Sequence, residues 1–384
     1  MTSKLEDLIA KLCPNGVEYK KIGDIADYEQ PTKYIVKSTK YDDSFATPVL
    51  TAGQSFILGY TDELDNIYLA SKDNPVIIFD DFTGAIQWVD FPFKVKSSAM
   101  KMITAKPNVL IRYLYHWMAL LGFSSSEHKR LWISTYSNFE IPVPPLEVQA
   151  EIVRILDTFT ELTAELTAEL TARKKQYEYY RDTLLTFDDN NPLRLLISRY
   201  CPNGVEYKKI GDIATLSRGK VMSKSFINDN SGEYPVYSSQ TENNGQFGAI
   251  STYMYDGKYV TWTTDGANAG TVFYRDGKFN VTNVCGVIDV SDYQVDTKYV
   301  YYALTIHAKN YVSSGMGNAK LMSNVMSKVT IPVPPLEVQR QIVQILDRFD
   351  ALCNDLTQGL PAEIEARRKQ YEYYRDQLLT FKRA

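Results

Sequence analysis

The groups in this chain whose types could make or break bonds are few, and their spacing mostly argues against it. Asp80-Asp81 followed by Lys94 and Lys96 has a loosely nuclease-like order, but a solvated loop is the plainer reading. Gly266-Ala-Asn-Ala-Gly270 lacks the lysine of a phosphate-cradling loop and reads as a glycine-rich turn. The Pro-Pro pairs at 144–145 and 334–335 are followed by leucine, whereas adenine methylation uses Asn or Asp before Pro-Pro and an aromatic residue after it. His116, His128 and His307 are scattered, and Cys13, Cys201, Cys285 and Cys353 form no CxxC pair. No metal site is expected from such spacing. What remains is the chemistry of recognition, and the question becomes which elements present it.

The organisation is a repeat. Cys13–Ala26 recurs without change as Cys201–Ala214, Ile141–Gln149 as Ile331–Gln339, and Gln176–Asp182 as Gln370–Asp376. The offsets grow from 188 to 190 to 194 residues. The chain is thus two copies of one unit, too few for a solenoid. Between the shared blocks, residues 27–130 and 215–320 diverge almost completely. One frame carrying two inserts suits two modules doing the same job on different targets.

Each insert reads as a small α+β domain. Pro75–Phe79, Tyr259–Thr263 and Thr271–Tyr274 have strand character, and Asp256-Gly257 and Asp276-Gly277 look like hairpin turns. Leu110–Leu121 and Lys298–Ile306 have helical spacing. Each unit then closes on a long helix with proline at its first position, Pro145 or Pro335. Apolar residues recur at threes, fours and sevens from Ile152 to Leu184 and from Ile342 to Leu378, as in a coiled-coil seam. Only Asp188–Pro192 joins the first helix to the second unit, so the second helix is expected to run back antiparallel to the first. Gly359 and Pro361 interrupt the second seam, where proline costs about 3 kcal/mol, and predict a kink or short break. The first seam carries Thr163-Ala-Glu-Leu and Thr167-Ala-Glu-Leu in tandem; each tetrad adds about 6 Å of helix and should act as a ruler. The expected architecture is α+β: recognition domains at 1–144 and 188–334, spacer helices at 145–187 and 335–384, related by a pseudo-twofold axis.

Composition bounds the class. A chain of 384 residues with 44% hydrophobic content supports two or three domains with real cores. It lacks any run approaching the ~20 apolar residues that span a bilayer, and its first residues lack a signal peptide's pattern, so a cytoplasmic location is expected. The net charge of −4 divides as −2, −3, +1 and 0 over 1–145, 146–187, 188–335 and 336–384, and by itself identifies no nucleic-acid binder.

Two related modules about a pseudo-dyad match the local twofold character of duplex DNA, and unlike inserts would read unlike half-sites. The repeated Ile-Pro-Val-Pro-Pro-Leu-Glu-Val-Gln, the Thr-Ala-Glu-Leu tetrads and Arg173–Asp182 resemble the specificity subunits of type I restriction–modification enzymes. The resemblance covers the frame of both copies and fades within the inserts. It implies a non-catalytic subunit with two target recognition domains and two helical spacers, binding an asymmetric bipartite site in double-stranded DNA. It also implies two methylation subunits as partners, restriction or translocase subunits reached through them, and no membrane. S-adenosylmethionine, ATP and magnesium would be bound by those partners, with no cofactor in this chain. The tetrad count would set the length of the unspecified gap.

Bases are read by Arg, Lys, Asn and Gln, while Ser and Thr hold phosphates. On that chemistry the candidate loops are Thr51–Ser55, Lys94–Lys101 and Ser124–Arg130 in the first insert. In the second they are Ser217–Lys220, Ser238–Asn244, Thr263–Thr271 and Ser313–Lys320. The DNA-binding candidates are Gln54, Lys96, Lys101, His128, Lys129, Arg130, Arg218, Lys220, Gln240, Asn243, Thr264, Asn268 and Lys320. Tyr177, Tyr180 and Arg181, with their counterparts Tyr371, Tyr374 and Arg375, are candidates for docking partner subunits, or else belong to the helix seam. A coiled-coil adaptor that binds proteins alone is the alternative; its inserts would not need to differ so sharply.

Overall fold

The structure is a computed structural model describing residues 3–51, 55–122, 129–313, 318–355 and 357–384. It resolves into one compact unit of Met1–Thr167 with Glu363–Ala384 and another of Ala168–Ala362.

In the first unit, strands Ala26–Glu29, Met100–Ala105, Val76–Asp80 and Ile86–Val89 lie in that order in an antiparallel sheet. The central run Val76–Asp80 is buried along its whole length because both faces are covered. Strand alternation divides it: Ile77 and Phe79 pack with Leu114 and Met118 of helix Ile111–Leu121, while Val76 and Ile78 join Leu50, Phe93 and Val95 on the other side. A second sheet pairs Thr47–Leu50 antiparallel with Ile57–Thr61 and parallel with Lys94–Val95.

The second unit is built around a six-stranded sheet in the order Ala214–Arg218, Cys285–Val290, Tyr255–Thr263, Val272–Val281, Ser231–Tyr237 and Gln246–Ile250. The same alternation operates. Val260, Trp262 and Ile288 face helix Thr297–His307, and Phe279, Val281 and Val287 form a separate cluster. Asp256-Gly257 and Asp276-Gly277 are not hairpin turns. They lie inside the two longest strands, with Gly257 directly opposite Gly277 and both at positive φ. The connection between these strands is 264–271, where Gly266 and Gly270 supply the left-handed backbone. An Asp-Gly pair marks positive φ reliably, but a glycine facing a glycine within a ladder meets the same demand.

In both units a short ladder closes the frame, Tyr19–Lys21 with Glu140–Pro142 and Tyr207–Lys209 with Thr330–Pro332. The helices that follow are Leu146–Leu184 and Leu336–Asn354, with Pro335 at the N-cap one place earlier than expected. Within each unit the spacer segments pair antiparallel. In the second, Tyr180 stacks on Phe349 at 5.2 Å, Tyr177 feels Asp350 and Cys353, and Leu184 shares a core with Val338 and Ile342. In the first, Tyr374 stacks on Phe159 at 5.3 Å, and Phe381 reaches back to accept from the Tyr19 hydroxyl beside the start of the helix.

The break expected at Gly359–Pro361 is present: one helix stops at Asn354 and the next runs Leu360–Leu378. Asp355 Oδ1 accepts from the backbone of Thr357 and Gln358, and Gly359 donates to the Asp355 carbonyl at 3.0 Å. A Cβ on Gly359 would lie 2.6 Å from the Ala351 carbonyl oxygen and 2.7 Å from that of Asp355. Backbone has nowhere to retreat. Gly359→Ala should therefore lower unfolding stability by about 1–3 kcal/mol, read from urea melts; an unchanged midpoint would contradict this account of the break.

Candidate nucleic-acid interface

Each insert is fastened to its spacer helix by the same three contacts. Gln149, fully buried, donates to the carbonyls of Asn108 at 3.0 Å and Pro144 at 2.7 Å and accepts from Leu110 N–H at 2.8 Å. Gln339 repeats this on Gln294, Pro334 and Asp296 at 3.0, 2.6 and 2.8 Å. Tyr113 donates to the Pro142 carbonyl at 3.0 Å and Tyr299 to that of Pro332 at 2.8 Å. Third, Asp157 takes Arg112 at 2.8 Å and His116 at 2.9 Å, and Asp347 takes Lys298 at 2.9 Å and Tyr302 at 2.6 Å. None of these residues was a candidate site residue from the sequence, although exact repetition of a glutamine at a helix start was the available signal.

Burial holds the His116 imidazole below its ordinary pKa, against the pull of Asp157. Burial also works against the Asp157 carboxylate, but His116 and Arg112 bring it below its usual range. With the proton on Nε2 facing Asp157, His116 Nδ1 is free to accept from Tyr371, 3.3 Å away.

These fastenings present the loops. In the second unit all four candidate loops converge. Arg218 donates to Thr264 Oγ1 at 3.2 Å and lies 3.7 Å from Asp265, while its Nε is buried without a partner among the described residues. Ser239 donates to the Asp265 carbonyl, Asn268 to Thr241, and Gly266 N–H to the Ala319 carbonyl. Lys220 pairs through its backbone with Thr282, and Lys320 pairs through its backbone with Asp265 and Ser313. Gln240 is tied to the Gln246 carbonyl, and Asn243 is exposed at φ +48°. Arg275, buried under Tyr237 at 3.5 Å, holds the Asn244 carbonyl at 2.9 Å and so shapes this loop. Its place within a strand hid it from the sequence reading. Thr264 is fully buried, so its hydroxyl positions Arg218 and Asp265 instead of facing a ligand.

The first unit corrects more. Gln54 and His128 lie outside the described residues. Lys101 is buried and paired with buried Asp81 at 3.1 Å, which removes it from the surface set. Lys94 is likewise buried, on Glu63 at 3.0 Å and the Asp65 carbonyl at 2.7 Å. Asp80-Asp81 is therefore not a solvated loop. Asp81 also caps Trp132 N–H at 2.9 Å and approaches Arg130 at 3.6 Å, while Asp80 takes the Phe82 and Thr83 amides. Arg130 and Lys129 remain exposed, and Lys96 is half-buried with its ammonium 5.9 Å from the Tyr41 ring. The tyrosines that were candidates for docking lie in the helix seam. Tyr177, Tyr180, Tyr371 and Tyr374 are half-buried in intramolecular contacts, whereas Tyr179 and Tyr373 are 66% and 60% exposed. Arg181 and Arg375 lie beside them on Asp182 and Asp376.

The type I restriction modification DNA specificity domain is matched twice, over residues 14–173 and 202–366. The chain belongs to the type I restriction–modification specificity family. The EcoR124I/EcoR124II specificity subunit of Escherichia coli is 41% identical over 95% of this chain and 94% of its own length. The MpnII specificity subunit of Mycoplasma pneumoniae is 36% identical over 65% of this chain and 91% of its own. The crystal structure of a type I restriction-modification S subunit from M. genitalium shares the fold, with a TM-score of 0.69 at 15% identity over 95% of this chain and 97% of that one. As a specificity subunit the chain is non-catalytic, and it works with DNA and other subunits of a type I system. No helix among the described residues is long and apolar enough to cross a membrane.

Two outcomes follow from the fastenings. Gln149→Leu and Gln339→Leu strand a buried amide N–H and two carbonyls, so each should cost about 1–3 kcal/mol in urea unfolding, where a neutral exchange would refute the role. Because burial depresses His116, its contribution is complete above the ordinary histidine value of 6.5 and is lost as pH falls below it, whereas that of the Asp157 carboxylate is lost only below its ordinary value of 3.8. Amide exchange between pH 7 and 5 should show the joint of Arg112 and His116 with Asp157 loosening ahead of the joint at Asp347, where Tyr302 replaces the histidine. His116→Gln should flatten that difference.

Proposed function

We propose that the chain reads an asymmetric, bipartite site in double-stranded DNA, one half-site per recognition domain, with domains at 1–144 and 188–334 and spacers at 145–187 and 335–384. The observation that carries this reading is that identical fastenings at Gln149 and Gln339 support two unlike sets of loops. Arg218, Lys220, Gln240, Asn243, Asn268 and Lys320 are the readers in the second domain; Lys96, Lys129 and Arg130 are those in the first, with Gln54 and His128 kept as proposals from sequence. Arg218 supports this role best, since its buried Nε still lacks an acceptor. Two methylation subunits bind the frame and bring restriction or translocase subunits with them. S-adenosylmethionine, ATP and magnesium belong to those partners, and the complex is cytoplasmic. The tandem Thr-Ala-Glu-Leu tetrads set the gap between half-sites. Exposed Tyr179 and Tyr373, with Arg181 and Arg375, form matching docking points for two identical partners.

Mapping adenine methylation in cells carrying the complex should return two short unlike motifs at a constant gap. Arg218→Ala should weaken binding to that site by about 1–3 kcal/mol, relaxing specificity in one half only. A continuous motif, or a loss spread evenly over random duplex, would defeat the proposal.

A further inference from the structure

The identical segments Cys13–Ala26 and Cys201–Ala214 have different surroundings, and the difference has a specific shape. In the first unit, residues 381–384 add to this segment as a short strand. Val17 N–H donates to the Lys382 carbonyl at 2.9 Å, and Ala384 N–H donates back to the Val17 carbonyl at 3.1 Å. Arg383 pairs with Glu140 at 2.7 Å, and Tyr19 donates to the Phe381 carbonyl at 2.9 Å. Gly16, at φ +102°, takes a left-handed backbone that favours glycine, and a Cβ there would also meet the Lys382 carbonyl oxygen at 2.7 Å.

In the second unit the same edge is bare. Val205 has no backbone hydrogen-bond partner among the described residues, and a Cβ on Gly204 would meet nothing within 4 Å. Tyr207, the counterpart of Tyr19, is 58% exposed. The residues that correspond to 381–384 are 187–190, and they cannot serve. Buried Asn191 donates to the Thr183, Leu184 and Thr186 carbonyls and turns the chain off the helix end towards helix Arg194–Tyr200. Next to this edge, at Gly204, lies a groove of about 630 Å³ lined by Tyr200, Gly204, Glu206, Lys208, Tyr293 and Pro335.

We propose that the edge at Val205 receives an extended segment of a partner polypeptide, added as a strand as residues 381–384 add to Val17. Main-chain pairing of this kind asks only for a carbonyl and, two residues on, an N–H, while side-chain pockets set selectivity. Thr330 stands where Glu140 stands in the first unit, so the acid that Arg383 meets there is missing from this position. The exposed tyrosines Tyr200, Tyr207 and Tyr293 favour a segment carrying an apolar or aromatic side chain. The corresponding tail of a second copy is the poorer occupant, because it is already bound within its own unit at high effective concentration.

The test uses the full chain and a fluorescent peptide of the 378–384 sequence carrying Arg383→Thr. Saturable binding is expected, with Kd on the order of 0.1–1 mM, together with slowed amide exchange at Val205. The same peptide carrying Ala384→Pro lacks the donor and should bind at least about tenfold more weakly, with the protein itself unaltered. Equal binding of the proline peptide, protection at Val17 instead of Val205, binding that tracks dimerisation of the chain, or no binding at 5-fold above the expected range would each overturn the proposal.

Discussion

The fold depends on a buried primary amide used as a fastener. A glutamine side chain offers two donors and an acceptor, and at Gln149 and Gln339 these are satisfied by backbone on either side of a junction. One partner lies in the proline turn before the spacer helix; the others lie at the entry to the insert's helix. Backbone groups exist at every residue, so this fastening tolerates almost any sequence in the loops beyond it. The adjacent tyrosine also addresses a carbonyl, that of Pro142 or Pro332. A frame whose main joints address backbone can hold unlike inserts in the same orientation, which is the physical requirement for exchanging recognition surfaces without redesigning the scaffold.

The frame was legible in the sequence because identical residues recur at fixed offsets and seam periodicity needs no tertiary information. The break near Gly359 was legible for a local reason, the cost of glycine and proline inside a helix. The inserts were harder. Lys94 and Lys101 carry charges that sequence alone assigns to the surface, and only three-dimensional proximity to Glu63 and Asp81 makes their burial tolerable. The helical spacing at Tyr177, Tyr180, Tyr371 and Tyr374 allowed both seam and docking surface. Stacking on Phe349 and Phe159 decides for the seam at Tyr180 and Tyr374, and leaves Tyr179 and Tyr373 outward.

Identical sequence does not ensure identical surroundings. Cys13 and Val17 are buried and Cys201 and Val205 only partly so, although each pair sits in the same fourteen-residue block. The cause is connectivity. After one spacer helix the chain lies along the frame; after the other it must join the next helix, and Asn191 commits it to that path. No local propensity encodes this difference.

A chain of net charge −4 gains little from uniform attraction to phosphates, whose contribution scales with the number of cations that displace counterions. On the DNA-reading proposal, discrimination then rests on few, well-positioned side chains, and affinity on charge supplied by other subunits. The second unit has the features such a reader needs. Arg218 is oriented by Thr264 and Asp265, and Arg275 fixes the neighbouring loop through the Asn244 carbonyl. Orientation bought this way lowers the entropy lost when a base edge is met. The acid that holds Arg218 also repels a phosphate brought to the same place, so the arrangement favours a base edge over the backbone as the group that Arg218 meets.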